Sequence, residues 1–508
     1  MARSEVKWGA ILSYILIVIN AVYGLIITPY VIASIGEVEY GVYKSISSLS
    51  TSLLVLDLGL GGTVMRYLAK YRSEGRKDKI EPFVSMAFGE GLIIIVVMGM
   101  VCGAMYALLP TMYRNGMSGD EIRLARGLFL GLSVNLVLHI VENLFYGIIS
   151  GFNRFTFGNS MKLMRIVARM VLLYVLLKIF RSALVLVLVD LVLTLVLLAV
   201  EYVYIRRALD VKPRLSFKGW DMAVFGESFK YTLLLFLTSI AAQINNNLDN
   251  VVIGAIRGAA CVTVYSIGLL IFGMFENLST AISGVMLPTV TGILAQEDGL
   301  KKIQAKIVQV GRVQFALLGA ALVGFAVIGR DFLRLWLGDG FGDAYKITLI
   351  LMIPATLELC VNVCLSVLRA KNMLGFRTAV LTGSTLLNAV VTVIGVYRFG
   401  YLAAAVGTAL SFIIGSLLAM NIYYHKKLSF HMLSIYRQIF SRIWICLLLA
   451  GAAVFVSSRW LLGSGWLSFL GNVAVFCVVY VLTMLAFGAN DSEIAMLPFI
   501  HKFRNKRK

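Results

Sequence analysis

The sequence predicts an all-α polytopic membrane protein of about fourteen transmembrane helices: two pseudo-twofold related six-helix bundles plus two C-terminal helices, with both termini cytoplasmic. Three observations predict it. Of 508 residues, 59% are hydrophobic and 14% charged, with a mean hydropathy of +0.88, whereas a soluble multidomain chain carries about 25% charge. Apolar runs of the roughly 20 residues that a bilayer crossing needs follow one another along the chain. The net charge of +20 is unevenly placed, with 34 of the 46 Lys and Arg in connections on the side of the N-terminus and 12 on the other. That segregation is the positive-inside pattern, so the basic excess reads as orientation rather than as a nucleic-acid footprint.

The spans run 8–35, 41–66, 83–110, 124–150, 163–180, 183–205, 229–256, 262–294, 307–330, 346–370, 378–396, 402–424, 443–462 and 466–488. The first follows Met1–Lys7 with no small-residue cleavage site, and so reads as a retained helix rather than a signal peptide. A neutral to acidic turn, Gly36 to Gly41, separates it from the second, which ends in the basic loop Lys70 to Lys79. Basic connections follow every second span from there, and none is long enough to hold a soluble domain. The chain also resembles itself. Thr63 to Ala69, ending the second span, matches Thr289 to Ala295, ending the eighth, and Asn143 then Asn153 matches Asn362 then Asn372. Six spans per repeat imply two copies of one orientation, related by an axis along the membrane normal. The expected units are 1–222 and 223–424, each of six helices, followed by 425–508 with two further helices and a basic tail.

Charged groups in the spans are costly, at roughly 3 kcal/mol for a carboxylate at the bilayer centre, so they face protein or a watery cavity. Seven acids qualify: Asp57, Glu90, Glu142, Asp190, Asp249, Glu276 and Glu358. The fourth span places Asn135, His139, Glu142 and Asn143 on one helical stripe, and the tenth repeats it with Glu358, Asn362, Ser366 and Arg369. The seventh gathers Gln243, Asn245, Asn246, Asn247, Asp249 and Asn250; the eighth adds Glu276, Asn277, Ser279, Thr280 and Ser283. Two readings stay open for these groups: a hydrophilic pathway between the bundles, or interhelical hydrogen bonds that fix packing. His139, three residues from Glu142, is either a proton shuttle or a structural hydrogen-bonding group. Arg165 and Arg169, at the expected cytoplasmic start of the fifth span, suit either a lipid-linked diphosphate or anionic lipid headgroups. The glycines beside Asp57 in Leu56-Asp57-Leu-Gly59-Leu-Gly61-Gly62 suit close packing or a bend.

The missing chemistry narrows the class. The sequence has no Walker motif, no His-Glu-x-x-His and no serine nucleophile elbow. Six scattered cysteines, at 102, 261, 360, 364, 446 and 477, form neither a disulfide framework nor a metal-ligand spacing. The expectation is a transporter without a cofactor, not an enzyme.

Short motifs in order along the chain strengthen that expectation: Gly36-x-x-x-Tyr40-Gly41, Asp57-Leu-Gly-Leu-Gly61, Gly151-Phe-Asn-Arg-Phe155, Leu248-Asp249-Asn-Val-Val-Ile-Gly254, Tyr265, Pro288, Phe332-Leu-Arg-Leu-Trp336-Leu-Gly338 and Gly400-Tyr-Leu-Ala-Ala-Ala405-Val-Gly-Thr408. With their placement relative to the spans, the region 8–424 resembles the polysaccharide-biosynthesis, or Wzx-type, flippases of the multidrug/oligosaccharidyl-lipid/polysaccharide exporter superfamily. The resemblance implies two bundles around a cavity that opens alternately to each side. It implies a polyprenyl-diphosphate-linked oligosaccharide as substrate, membrane lipids and polysaccharide assembly proteins as partners, and protons or sodium as coupling ions, in a bacterial or archaeal cytoplasmic membrane. A lipid II flippase and a cation-coupled multidrug antiporter of the same superfamily are the alternatives. The spans expected to be first and eighth lack the deep basic cluster expected of the former, and the last two spans speak against the latter. Asp57, Asp249 and Glu276 are the coupling candidates, and the pathway candidates are Glu90, His139, Glu142, Asn143, Arg165, Arg169, Asn246, Glu358 and Asn362.

Overall fold

A computed structural model describes residues 2–57, 59–212, 226, 243, 247–284, 286–460 and 465–490. Every regular element among them is helical: α1 (Ala2–Leu53), α2 (Leu60–Ser73), α3 (Ile80–Tyr113), α4 (Gly119–Gly151), α5 (Phe155–Phe180), α6 (Leu184–Ala208), α7 (247–257), α8 (Ala259–Ser283) and α9 (Met286–Leu294) come first. They are followed by α10 (Gly299–Leu337), α11 (Gly342–Cys360), α12 (Val363–Ala370), α13 (Gly375–Phe399), α14 (Leu402–Ser411), α15 (Met420–Leu428), α16 (Met432–Phe440), α17 (Ile443–Trp460) and α18 (Trp466–Thr483). Among the described residues nine helices are long and apolar enough to cross a membrane, or eleven if each of two bent pairs is one span. Three of the fourteen expected spans lie outside that number. The first and second share one continuous stretch, the fifth carries Arg165, Arg169 and Lys178 among its apolar residues, and 229–256 falls mostly outside the described residues. Large apolar side chains such as Leu130, Ile179, Leu188, Leu386 and Leu482 are exposed, an outer surface suited to lipid rather than water. The chain is a multi-pass membrane protein.

Several spans are less regular than their apolar patterns suggest. The expected turn at 36–41 shrinks to Gly36, whose φ of 84° only glycine adopts readily. The second span is not a continuous helix: Leu54–Asp57 tightens into a 3-10 turn, Gly59 turns left-handed at φ 68°, and α2 restarts at Leu60. The eighth divides between α8 and α9, because Pro288 has no N–H to offer the carbonyl at 284 and its ring crowds it. The tenth bends by 49° between α11 and α12. There Val361 and Asn362 bond back only three residues, to the Glu358 and Leu359 carbonyls at 3.1 and 3.2 Å. Phe412–Ala419 is a π-helical stretch that continues α14 into α15. The thirteenth span is preceded by α16, which meets α17 at 42°.

Two of the sequence matches have similar local structure. Thr63 lies three residues into α2 and Thr289 three residues into α9, each just after a break. Asn153 and Asn372 both take left-handed φ values, 60° and 55°, after α4 and α12. In each case the following N–H, of Arg154 or Met373, bonds five residues back, at 3.1 and 2.8 Å, which is the Schellman C-cap. Asn143 and Asn362 do not correspond as closely, since Asn143 is inside a regular helix and Asn362 sits at the bend.

The chain divides into two compact units, Met1–Ser266 with Val396–Tyr401, and Ile267–Gly395 with Leu402–Lys508. In the first, α4 is central, packing on α2, α3, α6 and α1 while α5 packs on α1 and α6. The α2/α4 crossing is close enough to exclude side chains: a Cβ on Gly61 would lie 2.3 Å from Asn143 Oδ1, and one on Gly147 2.5 Å from the Gly61 carbonyl. In the second, α10 is central and packs on α11, α16, α17 and α18. Arg312 of α10, 3% exposed, donates to the carbonyls of Gln438 (3.1 Å), Ser441 (3.0 Å) and Gly488 (2.9 Å).

Candidate functional site

The fifth span begins at Phe155 rather than at 163. Lys162, Arg165 and Arg169 are therefore residues well inside the helix, at i, i+3 and i+7. At 1.5 Å per residue Arg165 lies about 15 Å and Arg169 about 21 Å along α5 from its start. Both are partnered inside the protein, so neither is a headgroup anchor at the helix end. Residues Asp190, Thr194, Leu197 and Glu201 follow the facing stripe of α6 at i, i+4, i+7 and i+11.

Together α1, α4, α5 and α6 enclose a cavity of about 440 Å³ in the first unit. Its polar wall holds Asn20, His139, Glu142, Asn143, Tyr146, Lys162, Arg165 and Glu201. Arg165 Nη1 donates to both Glu142 carboxylate oxygens at 2.8 and 3.1 Å, and its Nη2 donates to Thr194 Oγ1 at 2.9 Å. His139 Nδ1 stands 3.4 Å from Glu142 Oε2. Lys162 Nζ lies over the Tyr146 ring, 4.0 Å from its centroid, a cation–π contact that leaves ammonium protons available. Asn143 Nδ2 donates to Asp57 Oδ2, linking the cavity wall to the broken second span. One turn beyond Arg165, Arg169 binds both oxygens of Asp190 and the hydroxyl of Tyr23.

The structure thus brings together His139, Glu142, Asn143 and Arg165 at the cavity, with Asp57 and Arg169 directly behind its walls. The remaining candidates lie elsewhere. Glu90 is buried on α3 and does not line the cavity. Asp249 of α7 is buried and accepts from Tyr265 Oη at 2.5 Å, while Asn246 falls outside the described residues. In the second unit Glu358 and Asn362 flank a small recess with Arg377, Ser416 and Tyr424, and Asn362 Nδ2 donates to Ser283 Oγ at 3.3 Å. Glu276 lies on α8 and is not part of that recess. The stripe expected on the tenth span is broken by the bend at 361–362. Among the described residues no group of three His, Cys, Asp or Glu is arranged to hold a metal.

Two wall residues escape the sequence reading. Lys162 stands one residue outside the expected fifth span, and Glu201, near the end of the expected sixth, is not among the seven acids named from the sequence. The helical phase of Lys162 with Arg165 and of Glu201 with Asp190 was the available signal. The wall offers two cations, two carboxylates and several hydrogen-bonding groups within an apolar shell, an arrangement chemically suited to a polar, charged group.

The sequence profile of the family described as "Polysaccharide biosynthesis protein" matches residues 6–294. A relative from Haloferax volcanii, "Probable flippase AglR", is 28% identical over 178 residues, 34% of this chain and 37% of that protein, so the match spans little more than a third of the relative's length. Among solved structures, "Lipid II flippase MurJ, inward closed conformation" superposes with a TM-score of 0.72 at 14% identity, covering 94% of this chain and 98% of that one. An inward-facing multidrug resistance MATE family transporter of the MOP superfamily gives 0.62 at 14% identity, covering 83% and 96%. These structures share the MOP transporter fold with this chain. The profile match extends over more than half of the 508 residues, and the chain belongs to the polysaccharide biosynthesis protein family.

Proposed function

We propose that the protein moves a polyprenyl-diphosphate-linked oligosaccharide across the cytoplasmic membrane of a bacterium or archaeon, by alternating access and without covalent chemistry. Fourteen spans in two repeats, with both termini cytoplasmic, are the architecture this reading assumes. The observation that carries it is the cavity between α1, α4, α5 and α6. Its wall presents Lys162 and Arg165 from the interior of an apolar helix. Such a site replaces water around phosphate and sugar oxygens while the polyprenyl chain stays in lipid, avoiding the cost of taking many polar groups through hydrocarbon. Arg and Lys together suit a diphosphate, the former by its fixed fork and the latter by its point charge.

The family assignment supports a glycan-linked substrate, and the name of the Haloferax relative supports flipping. The MurJ likeness favours one alternative, a lipid II flippase; a cation-coupled multidrug antiporter is favoured by the MATE likeness. Complementation separates the three. Expression in a host lacking its glycan flippase restores surface glycan and clears the accumulated lipid-linked intermediate, whereas rescue of a lipid II flippase depletion alone, or drug resistance alone, replaces the proposal with that alternative.

A further inference from the structure

Glu201 is the most buried charged residue of the cavity wall, with 5% of its surface exposed, and its Oε2 has no hydrogen-bond partner among the described residues. Glu142, Lys162 and Arg165 line the same cavity. From α4 it is faced by Glu142 and His139, from α5 by Lys162 and Arg165, and from α1 by the uncharged Leu16 and Asn20. Arg165 is committed to Glu142 by two bonds, and Lys162, over the face of Tyr146, makes no hydrogen bond to Glu201 Oε2. An ionised Glu201 would hold a bare carboxylate oxygen in a low-dielectric pocket beside a second carboxylate. A proton on Oε2 removes that charge and supplies a hydroxyl donor to whatever occupies the cavity.

Charge on the wall gives the consequence. With both acids ionised, Lys162 and Arg165 are cancelled by Glu142 and Glu201. With Glu201 protonated the same four groups carry one net positive charge. We infer that Glu201 is a proton-binding site of the cavity, occupied when an anionic diphosphate head group is bound, so that proton and head group enter the same state together. The inference rests on the reading of the cavity as a diphosphate head-group site. Linkage makes it reciprocal: whatever factor the proton adds to head-group affinity, the head group adds to proton affinity.

The test uses the purified full chain in detergent and farnesyl diphosphate as probe, titrated calorimetrically between pH 5.5 and 8.5. Affinity of the wild type falls with rising pH by up to about tenfold per unit more than that of Glu201→Gln, which keeps every other titrating group, those of the probe included. Binding to the wild type takes up one more proton than binding to the variant, read from the dependence of the heat on buffer ionisation enthalpy. Equal pH slopes and equal proton uptake in the two proteins overturn the assignment of Glu201 while leaving the head-group reading intact. Should Glu201→Gln fail to fold, absence of proton uptake by the wild type overturns the assignment by itself. If farnesyl diphosphate binds neither protein at any pH, the head-group reading falls and the inference falls with it. If sodium at fixed pH reproduces the affinity change and no proton is taken up, the site is a sodium site and the proton assignment is wrong.

Discussion

Arg169 and Asp190 form a two-pronged ion pair between α5 and α6, with Nε to Oδ1 at 2.6 Å and Nη2 to Oδ2 at 2.9 Å. Tyr23 of α1 closes the arrangement by accepting from Nη1 at 2.7 Å. The pair fixes the rotation of α5, and with it the direction in which Arg165 and Lys162 face. Asp190→Ala leaves a guanidinium without its counter-charge and is expected to cost about 3–5 kcal/mol, whereas the apolar double substitution Arg169→Met with Asp190→Leu recovers most of that loss. Thermal unfolding in detergent measures both. A wild-type melting temperature for Asp190→Ala removes the pair from the architecture.

At the α2/α4 crossing the backbone of Gly61 lies against Asn143 and Gly147, and this approach places Asn143 within reach of Asp57. Gly61→Val forces the helices apart, because the new Cβ would meet Asn143 Oδ1 and the Asn143 carbonyl at 2.3 and 2.6 Å. We expect a melting temperature at least several degrees lower and loss of folded protein on extraction. Valine at Gly99, beside which no atom lies within 4 Å, is the control and leaves both unchanged.

The fold class was legible because hydropathy and Lys/Arg segregation act over whole spans, where single residues average out. Helix breaks were legible only where glycine or proline marked them. The glycines beside Asp57 suit close packing or a bend, and both occur: Gly59 turns left-handed and Gly61 lies against α4. Pro288 gave a local signal for the break between α8 and α9; nothing comparable marked Val361–Asn362. The cavity was half legible. His139, Glu142 and Asn143 announced themselves by spacing within one helix, whereas Lys162 and Glu201 acquire meaning only when α5 and α6 are placed side by side. A count that assigns charges near a span end to the adjoining loop discards such residues.

The Glu142–Arg165 ion pair joins α4 to α5 and is also part of the proposed head-group site, so single substitutions confound packing with transport. The double variant Glu142→Gln with Arg165→Gln keeps a polar pair that can hydrogen-bond while removing the charges. It is expected to insert in wild-type amounts and to lower surface glycan by roughly tenfold or more, the loss of a charge-assisted phosphate contact. Quantitative glycan blots normalised to membrane-extracted protein provide the comparison. Undiminished glycan excludes the Arg165 guanidinium from substrate binding.

Asp249→Ala and Glu276→Ala are each expected to abolish surface glycan with normal insertion if these acids take part in the transport cycle. Tyr265→Phe discriminates between two roles of Asp249, because Tyr265 Oη is its hydrogen-bond donor. A phenylalanine variant as defective as Asp249→Ala reduces the acid to a packing partner of the tyrosine. Full activity of Tyr265→Phe, with none in Asp249→Ala, assigns the function to the carboxylate.

Arg312 caps carbonyls at the ends of α16 and of the stretch that continues α18, groups that a helix terminus leaves without intrahelical donors. The fork of a guanidinium reaches three acceptors at once, which a single ammonium cannot do with the same geometry. Each charge-assisted bond contributes on the order of 1.5–3 kcal/mol, so Arg312→Ala is expected to destabilise by about 3 kcal/mol or more. Arg312→Lys should regain less than half of it. Because Gly488 ends the stretch that continues α18, the first consequence is release of the chain around 484–490 rather than global unfolding. Limited proteolysis therefore cleaves that segment in Arg312→Ala under conditions where the wild type is resistant, before any change in the far-UV helical signal. Simultaneous loss of both would mean that α17 and α18 have no separate anchorage and unfold with α10.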